Sequence, residues 1–344
     1  MTAVHFVIPD GIDDAARPTG GNVYDRRLCR GLTSIGWSVS EHPVPGFWSR
    51  PGASSFATLD HAVQEIPDEA VVLVDGLIAS TAPDVLVPQA DRLRLVVLVH
   101  MPLEDRREGA VLSAAAAVVT TSEWGRGRLL ELYGLAAERV HVAEPGVDAA
   151  DLATGTAAGE ALLCVAAVTP GKGHDVLLGA LATVMDLPWQ CMCVGSLDRD
   201  PAFVGRLRHG SLDHGLGDRV SFPGARTGAE LDRSYAAADL VVLASRAETY
   251  GMVVTEALAR GLPVVATEVG GVSEALGFGA HGMRPGLLVP PEDPTALAAA
   301  LRAWLGDAEL RSRLRRAAEE RRESLCGWSI TASVLAGVLA GVQP

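Results

Sequence analysis

The stretch LVVLASRAETYGMVVTEALARGLPVVAT, Leu240 to Thr267, decides how the rest of the chain is read. The apolar run Leu240 to Ala244 has the length of a buried strand, and a polar loop carrying Glu248 follows it. Met252 to Arg260 is helix-forming, and Gly261 and Pro263 stop it before a second apolar run begins at Val264. The order strand, loop, helix, strand is that of a parallel crossover. Met252, Val253, Val254, Ala257, Leu258 and Ala259 make the helix apolar nearly all round, so Glu256 in its second turn is expected to be buried and in need of donors. Glu248 lies just before the helix, and the two carboxylates can point into one crevice outside the carboxyl ends of the strands. Open α/β sheets bind ligands there.

At 344 residues the chain is long enough for two domains, each with its own core. A hydrophobic fraction of 48%, with 37 Gly and 20 Pro, fits a turn-rich α/β protein rather than a disordered one. The net charge of −13 argues against a nucleic-acid surface or a broadly basic membrane face. No apolar run reaches the roughly 18 residues of a membrane span, and the start MTAVHFVIPDG lacks a basic segment before a long apolar core, so a cytoplasmic protein is expected. Peripheral membrane contact and oligomeric state stay open. Cys29, Cys164, Cys191, Cys193 and Cys326 are odd in number and lie mostly in apolar runs, which disfavours a disulfide framework. Cys191 and Cys193 share a strand face without needing an ion. No second Cys/His pair stands at zinc spacing, so no metal site is expected.

Strand-like and helix-like runs alternate from the start. Val4 to Ile8, Trp37 to Val39, Val71 to Val74, Leu95 to Val99, Val118 to Thr121 and Val140 to Ala143 read as the strands of a first parallel sheet. A helix from about Asn22 to Ile35 follows the first of them. Glu144 to Ala161 is rich in small residues without periodicity and reads as a linker. A second series then runs through Leu162 to Val168, Gln190 to Val194, Val220 to Phe222, Leu240 to Ala244, Val264 to Ala266 and Leu287 to Val289. Thr295 to Leu325 reads as one or two helices, with Arg315 set against Glu319 and Arg316 against Glu320 on a solvated face. GWSITASVLAGVLAGV ends the chain as an apolar helix that needs a surface. The expected division is therefore 1–150, 151–325 and a terminal helix over 326–344.

Three further stretches suit phosphate or sugar chemistry. In AAVTPGKGHDVLL, residues 166 to 178, Lys172 and Gly173 stand where a strand end turns into a helix, so an ammonium and free amides could meet one anion. His174 breaks the P-loop pattern. Thr19, Gly20, Gly21 and Asn22 join the first strand's loop to a helix and allow close backbone approach, without the spacing of a dinucleotide fingerprint. His100 follows the buried run LVVLV at its carboxyl end, a position open to either a structural or a functional role. Asp198, Arg199 and Asp200 form a D-x-D, which is read as a chance pairing on a loop rather than a metal site.

Together these residues resemble the retaining GT-B glycosyltransferases of family four. The resemblance rests on E-x7-E, Glu248 to Glu256, followed by ALARGLPVVATEVGGVSE, and on VTPGKGHDVLL, RVSFPGART, LDRSYAAADLVVLAS, TSEWGRGRLLELYG, RVHVAEPGVD and the late Gly-Trp, in the family's order over nearly the whole chain. It implies two Rossmann-like doubly wound domains facing a cleft, with the C-terminal helix crossing back to the first. It implies that Glu256 accepts from ribose hydroxyls and that Glu248 holds donor-sugar hydroxyls. Gly251, Met252 and Val253 would offer backbone amides, Lys172 would neutralise the diphosphate, His100 would lie near the transferred sugar, and Gly20 and Gly21 would close over the phosphates. The family's arginine about five residues before the lysine is replaced by Ala166 and Ala167, so either Arg226 or another arginine substitutes or diphosphate binding is weaker.

The implied activity is metal-independent sugar transfer from a UDP-sugar or GDP-sugar to an acceptor hydroxyl or similar nucleophile, with retention. No cofactor is implied beyond the donor substrate, and the partners would be that donor and a small-molecule or glycan acceptor. A sugar-nucleotide epimerase or phosphorylase of the same fold, and a silent nucleotide-sugar-binding protein, are the competing readings. The missing dinucleotide fingerprint disfavours a nicotinamide oxidoreductase.

Overall fold

All twelve expected strands form, in two six-stranded sheets that are parallel throughout. The computed structural model describes residues 2–343, so Met1 and Pro344, the outer ends of the expected division, lie outside the described residues. The first sheet holds β1 (Ala3–Pro9), β2 (Ser38–Val44), β3 (Val71–Asp75), β4 (Arg94–Val99), β5 (Ala117–Thr120) and β6 (Val140–Val142), in the order β2-β1-β3-β4-β5-β6. The second holds β7 (Ala161–Val165), β8 (Gln190–Val194), β9 (Val220–Gly224), β10 (Leu240–Leu243), β11 (Val264–Thr267) and β12 (Gly286–Val289), in the order β12-β11-β10-β7-β8-β9.

Side chains alternate between the two faces of each sheet, and both faces are packed. Val72, Val74 and Val97 join one core of the first sheet, while Leu73, Val96 and Leu98 join the other. In the second, Leu162, Cys164 and Val242 lie on one side, and Leu163, Val241 and Leu243 on the opposite side. This burial on both faces explains why the strands read as continuous apolar runs. β2 extends beyond its apolar start to take in Glu41, His42 and Pro43, which an edge strand tolerates because one side of its backbone has no ladder to complete.

Contacts divide the chain into two compact units. One comprises residues up to Asp13, 20–146 and the chain from Cys326 onward; the other comprises 14–19 and 147–325. In the first unit the terminal helix Trp328–Gly341 finds its surface on the helix Gly20–Ser34, where Leu335 and Leu339 share a core with Leu28 and Leu32. Gly31 permits this approach, since a Cβ there would stand 2.6 Å from the Cβ of Ala332.

Two expectations are corrected. The segment 144–160 has no regular structure, yet it is no free linker. Ala153 N donates to Arg260 O at 2.9 Å, and Thr156 gives both its amide (2.8 Å) and its hydroxyl (2.5 Å) to the fully buried Asp239. Nor does Arg315 pair with Glu319 along the helix Ala308–Arg322. It reaches the same Asp239 at 2.6 Å, while Glu320 takes His281 at 2.7 Å, because a buried carboxylate and an off-helix partner outcompete a solvated i,i+4 contact. Asp200 of the D-x-D caps the helix Pro201–Asp213 by accepting from Phe203 N at 2.8 Å. Among the described residues no helix is long and apolar enough to cross a membrane.

Candidate active site

Each sheet has one place where the strand order reverses, between β1 and β3 in the first and between β7 and β10 in the second. Neighbouring crossovers leave in opposite directions there and open a crevice at the carboxyl ends of the strands. The expected site residues other than Arg226 lie at or beside these two places.

In the second unit, β7 runs into the turn Pro170–Lys172, then Gly173, then the helix His174–Ala182. Gly173 has φ +64°, and a Cβ on it would stand 1.9 Å from Ala244 O, so this turn lies backbone against backbone on the end of β10. The left-handed conformation alone costs an L side chain about 1–2 kcal/mol, and the contact adds to it. Gly173→Ala is accordingly expected to lower the thermal midpoint by several degrees; an unchanged midpoint would show that the two loops separate without cost.

The contact sets Lys172 beside Glu248. Lys172 Nζ lies 2.5 Å from Glu248 Oε1, which also accepts from Ser245 Oγ at 2.7 Å. Both partners fall on one oxygen, leaving Oε2 without a hydrogen-bond partner among the described residues. Arg246, absent from the sequence reading, stitches the loops together. Its amide donates to Gly171 O at 2.8 Å, and its guanidinium reaches Pro170 O, Asp175 (2.8 and 3.0 Å) and Glu292 (3.0 Å). An arginine two positions before an expected carboxylate gave no periodic or motif signal.

Glu256 is half-buried rather than buried, and it does have a protein partner. The helix Met252–Leu258 buries Val254, Thr255, Ala257 and Leu258, which leaves Glu256 on its remaining side. Tyr235 Oη donates to Glu256 Oε2 at 2.7 Å, and Arg260 stacks 4.4 Å from the Tyr235 ring centroid. Burial raises the Glu256 pKa, against the Tyr235 hydrogen bond and the Arg260 charge, which pull it down. Oε1 keeps its accepting capacity. Gly251, with φ +91°, stands at the N-cap of the helix without a side-chain cap, and the first-turn amides of Met252 and Val253 have no acceptor within the helix. Arg226 follows the edge strand β9 and donates to Ser234 Oγ at 2.9 Å, with Met192 Sδ at 3.3 Å; none of its described hydrogen bonds goes to Lys172 or Glu248.

In the first unit, Gly20 and Gly21 form the first turn of the helix rather than a loop. Gly21 is needed for close approach, since a Cβ would stand 3.2 Å from His100 Cδ2. His100 Nε2 lies 2.8 Å from Asp25 Oδ1 and 3.5 Å from Asp75 Oδ2. Asp75 also caps the helix Gly76–Thr81, accepting from Leu77 N at 2.9 Å and Ile78 N at 3.2 Å. Burial, then the charge of Asp25, pushes the Asp75 pKa up to about 7. The fold thus binds that proton more tightly than the unfolded chain, and the stability it contributes fades as pH rises from 3.8 toward 7. For His100, burial lowers the pKa, but the charge and hydrogen bond of Asp25, with Asp75, outweigh it and raise the net value.

Two clusters have the residue types of metal sites: Asp25, Asp75 and His100, and the buried Cys164, His174 and Cys193. Ligand atoms sharing one ion at 2.0–2.2 Å stand about 3 Å or more apart, so the 2.8 Å contact of the first is a hydrogen bond rather than a ligand pair. In the second, Cys164 Sγ lies 3.7 Å from His174 Nε2, a spacing zinc would accept. His174 Nδ1, however, is buried without a partner, whereas a ligating histidine normally anchors its other nitrogen. Sequence spacing missed this cluster because adjacent strands, with Cys164 opposite Cys193, bring it together.

Residues 157–321 match the family described as "Glycosyl transferases group 1". The chain is 33% identical to the D-inositol 3-phosphate glycosyltransferase of Jonesia denitrificans over 67% of its own length and 58% of the relative's. It is 33% identical to D-inositol 3-phosphate glycosyltransferase 1 of Catenulispora acidiphila over 74% of this chain and 66% of that one, so it spans less than two thirds of these relatives. Among solved structures, sucrose-phosphate synthase from Thermosynechococcus elongatus superposes with a TM-score of 0.83 over 99% of both chains at 21% identity. Anabaena HepE in complex with UDP-glucose gives 0.78 over 99% of this chain and 100% of that chain at 19% identity. The fold is GT-B.

Proposed function

We propose that this protein is a retaining glycosyltransferase that takes a sugar from a UDP-sugar or GDP-sugar and places it on a hydroxyl of a small acceptor, without a metal ion. The observation that carries this reading is the Lys172–Glu248 pair at the β7/β10 reversal, with Glu256 in the second turn of the helix that follows the Glu248 loop. A donor has three parts to be held, and this crevice has a group for each. Glu256 Oε1 can accept from ribose hydroxyls, Glu248 Oε2 from sugar hydroxyls, and Lys172 with the amides of Met252 and Val253 can face the diphosphate. Carboxylates are acceptor-only groups and suit hydroxyl recognition. The names of the relatives support the class of reaction, and HepE shows that this fold holds UDP-glucose in another protein.

In the proposed step the bond from the anomeric carbon to the β-phosphate oxygen breaks as the acceptor oxygen bonds on the same face. The acceptor proton passes to the departing phosphate, so no protein nucleophile is required. Negative charge grows on that phosphate, and Lys172, aimed by Glu248, stabilises what the transition state creates. A thermal-shift panel of UDP, GDP and ADP tests the donor reading. One nucleotide is expected to raise the midpoint by several degrees, since ligand at about a hundredfold over its Kd adds roughly 2.7 kcal/mol. No shift with any of the three would overturn it. An epimerase would consume the donor with no acceptor present, which a product assay separates.

A further inference from the structure

His100 is held unlike an ordinary strand-end histidine. Its Nε2 faces two carboxylates of the first unit at 2.8 and 3.5 Å, and its side chain retains 19% exposure. Asp25 is itself 1% exposed and its Oδ2 is buried without a partner, a costly arrangement for a residue that only fills space. The side chain of Asp25 leaves the helix Gly20–Ser34 to meet the end of β4, and Gly21, one turn earlier, makes room for the ring.

We infer that Asp25 is a positioning residue: with Asp75 it fixes the proton of His100 on Nε2 and leaves Nδ1 as the atom offered to an oxygen of a substrate bound at the carboxyl end of the first sheet. The inference rests on the transferase reading for the identity of that oxygen, but not for the geometry of the clamp. Carboxylates accept hydrogen bonds and do not donate them when ionised, so Nε2 must carry the proton that meets Asp25. Neutral His100 is then the Nε2–H tautomer with a lone pair on Nδ1, and protonated His100 donates from Nδ1. Among the described residues Nδ1 has no hydrogen-bond partner.

The ionisable groups against the ring are Tyr24 and Asp25 from one helix and Asp75 from the end of β3. Tyr24 packs edge-on at 5.2 Å and commits its hydroxyl to Ala143 O at 2.7 Å, and burial keeps it protonated. Burial disfavours the charged ring, and the two carboxylates, which both favour the imidazolium, together outweigh it. A histidine so biased keeps its charge, and donates from Nδ1, to higher pH than an ordinary one does.

Nitrogen-15 NMR of the ligand-free full chain, with the His100 signal assigned by its loss in His100→Gln, tests this without reference to activity. Above its midpoint, His100 is expected to show the Nε2–H tautomer. In Asp25→Asn the midpoint is expected to fall by about 1 pH unit or more, in line with loss of a neighbouring charge. The alkaline limb of the kcat/KM profile should fall with it. An Nδ1–H tautomer in the wild type, or an unmoved midpoint in a folded Asp25→Asn, overturns the proposal. Should Asp25→Asn fail to fold, the wild-type tautomer still decides. These outcomes are independent of the nucleotide panel, so failure of the transferase reading is seen separately.

Discussion

Glu248→Ala is expected to reduce turnover by roughly 10²-fold or more while leaving the fold intact, a loss of the size seen when one group that stabilises developing charge is removed. Two effects combine. The substitution deletes the carboxylate whose Oε2 is available to sugar hydroxyls, and it frees Lys172 Nζ from its 2.5 Å contact with Oε1. The ion pair itself contributes little to stability. Lys172 keeps 29% side-chain exposure and can rehydrate once its partner is removed. The thermal midpoint should therefore hold within a few degrees. Glu248→Gln separates the two effects, since it keeps an acceptor of the same length and loses only the charge that aims the lysine. Lys172→Ala combined with Glu248→Ala should cost much less than the sum of the single losses, as expected for groups acting as a unit. Near-wild-type turnover in Glu248→Ala, or strict additivity with Lys172→Ala, would remove this pair from the mechanism.

Much of the layout of this site was legible because strand ends and helix starts leave local marks. Apolar runs buried on both faces located every strand, and the Pro-Gly-Lys-Gly turn and the Glu248 loop fell at carboxyl ends, where the parallel topology places a crevice. The partners across the sheet were not legible. Tyr235 sits 21 positions before Glu256 and Asp25 sits 75 before His100, and neither separation follows a helical or strand period. The misjudged burial of Glu256 has the same origin. Helical periodicity counts apolar neighbours along one segment, whereas burial was decided by what other segments leave uncovered. Arg246 was missed for a related reason: its work is to tie two loops together, and each loop taken alone looks complete. The UDP-glucose-bound relative shares this fold at 19% identity, so identity of architecture leaves roles such as these to be tested residue by residue.

Asp239→Ala is expected to be the most destabilising single substitution in the second unit, at about 3 kcal/mol or more. Asp239 opens β10 from the side opposite Glu248 and is fully buried. Its two oxygens accept from Thr156 N (2.8 Å), Thr156 Oγ1 (2.5 Å), Ala161 N (2.9 Å) and Arg315 Nη2 (2.6 Å). Removing one partner of a buried polar network leaves the others unpaired, and each orphaned donor costs about 1–3 kcal/mol. Arg315 is 37% exposed on its side chain and can rehydrate, so the cost falls mainly on the Thr156 and Ala161 donors. Arg315→Ala should consequently lose far less than Asp239→Ala. At about 2–4 °C per kcal/mol for a domain of this size, the thermal midpoint of Asp239→Ala should fall by roughly 6 °C or more. Because Asp239 ties the segment entering β7 to the base of β10, the two strands that flank the Lys172–Glu248 crevice should loosen together. Hydrogen exchange in Asp239→Ala is therefore expected to rise across both strands and not only near position 239. A loss under about 1 kcal/mol, or exchange raised in the entering segment alone, would show that the strands hold their spacing without this anchor.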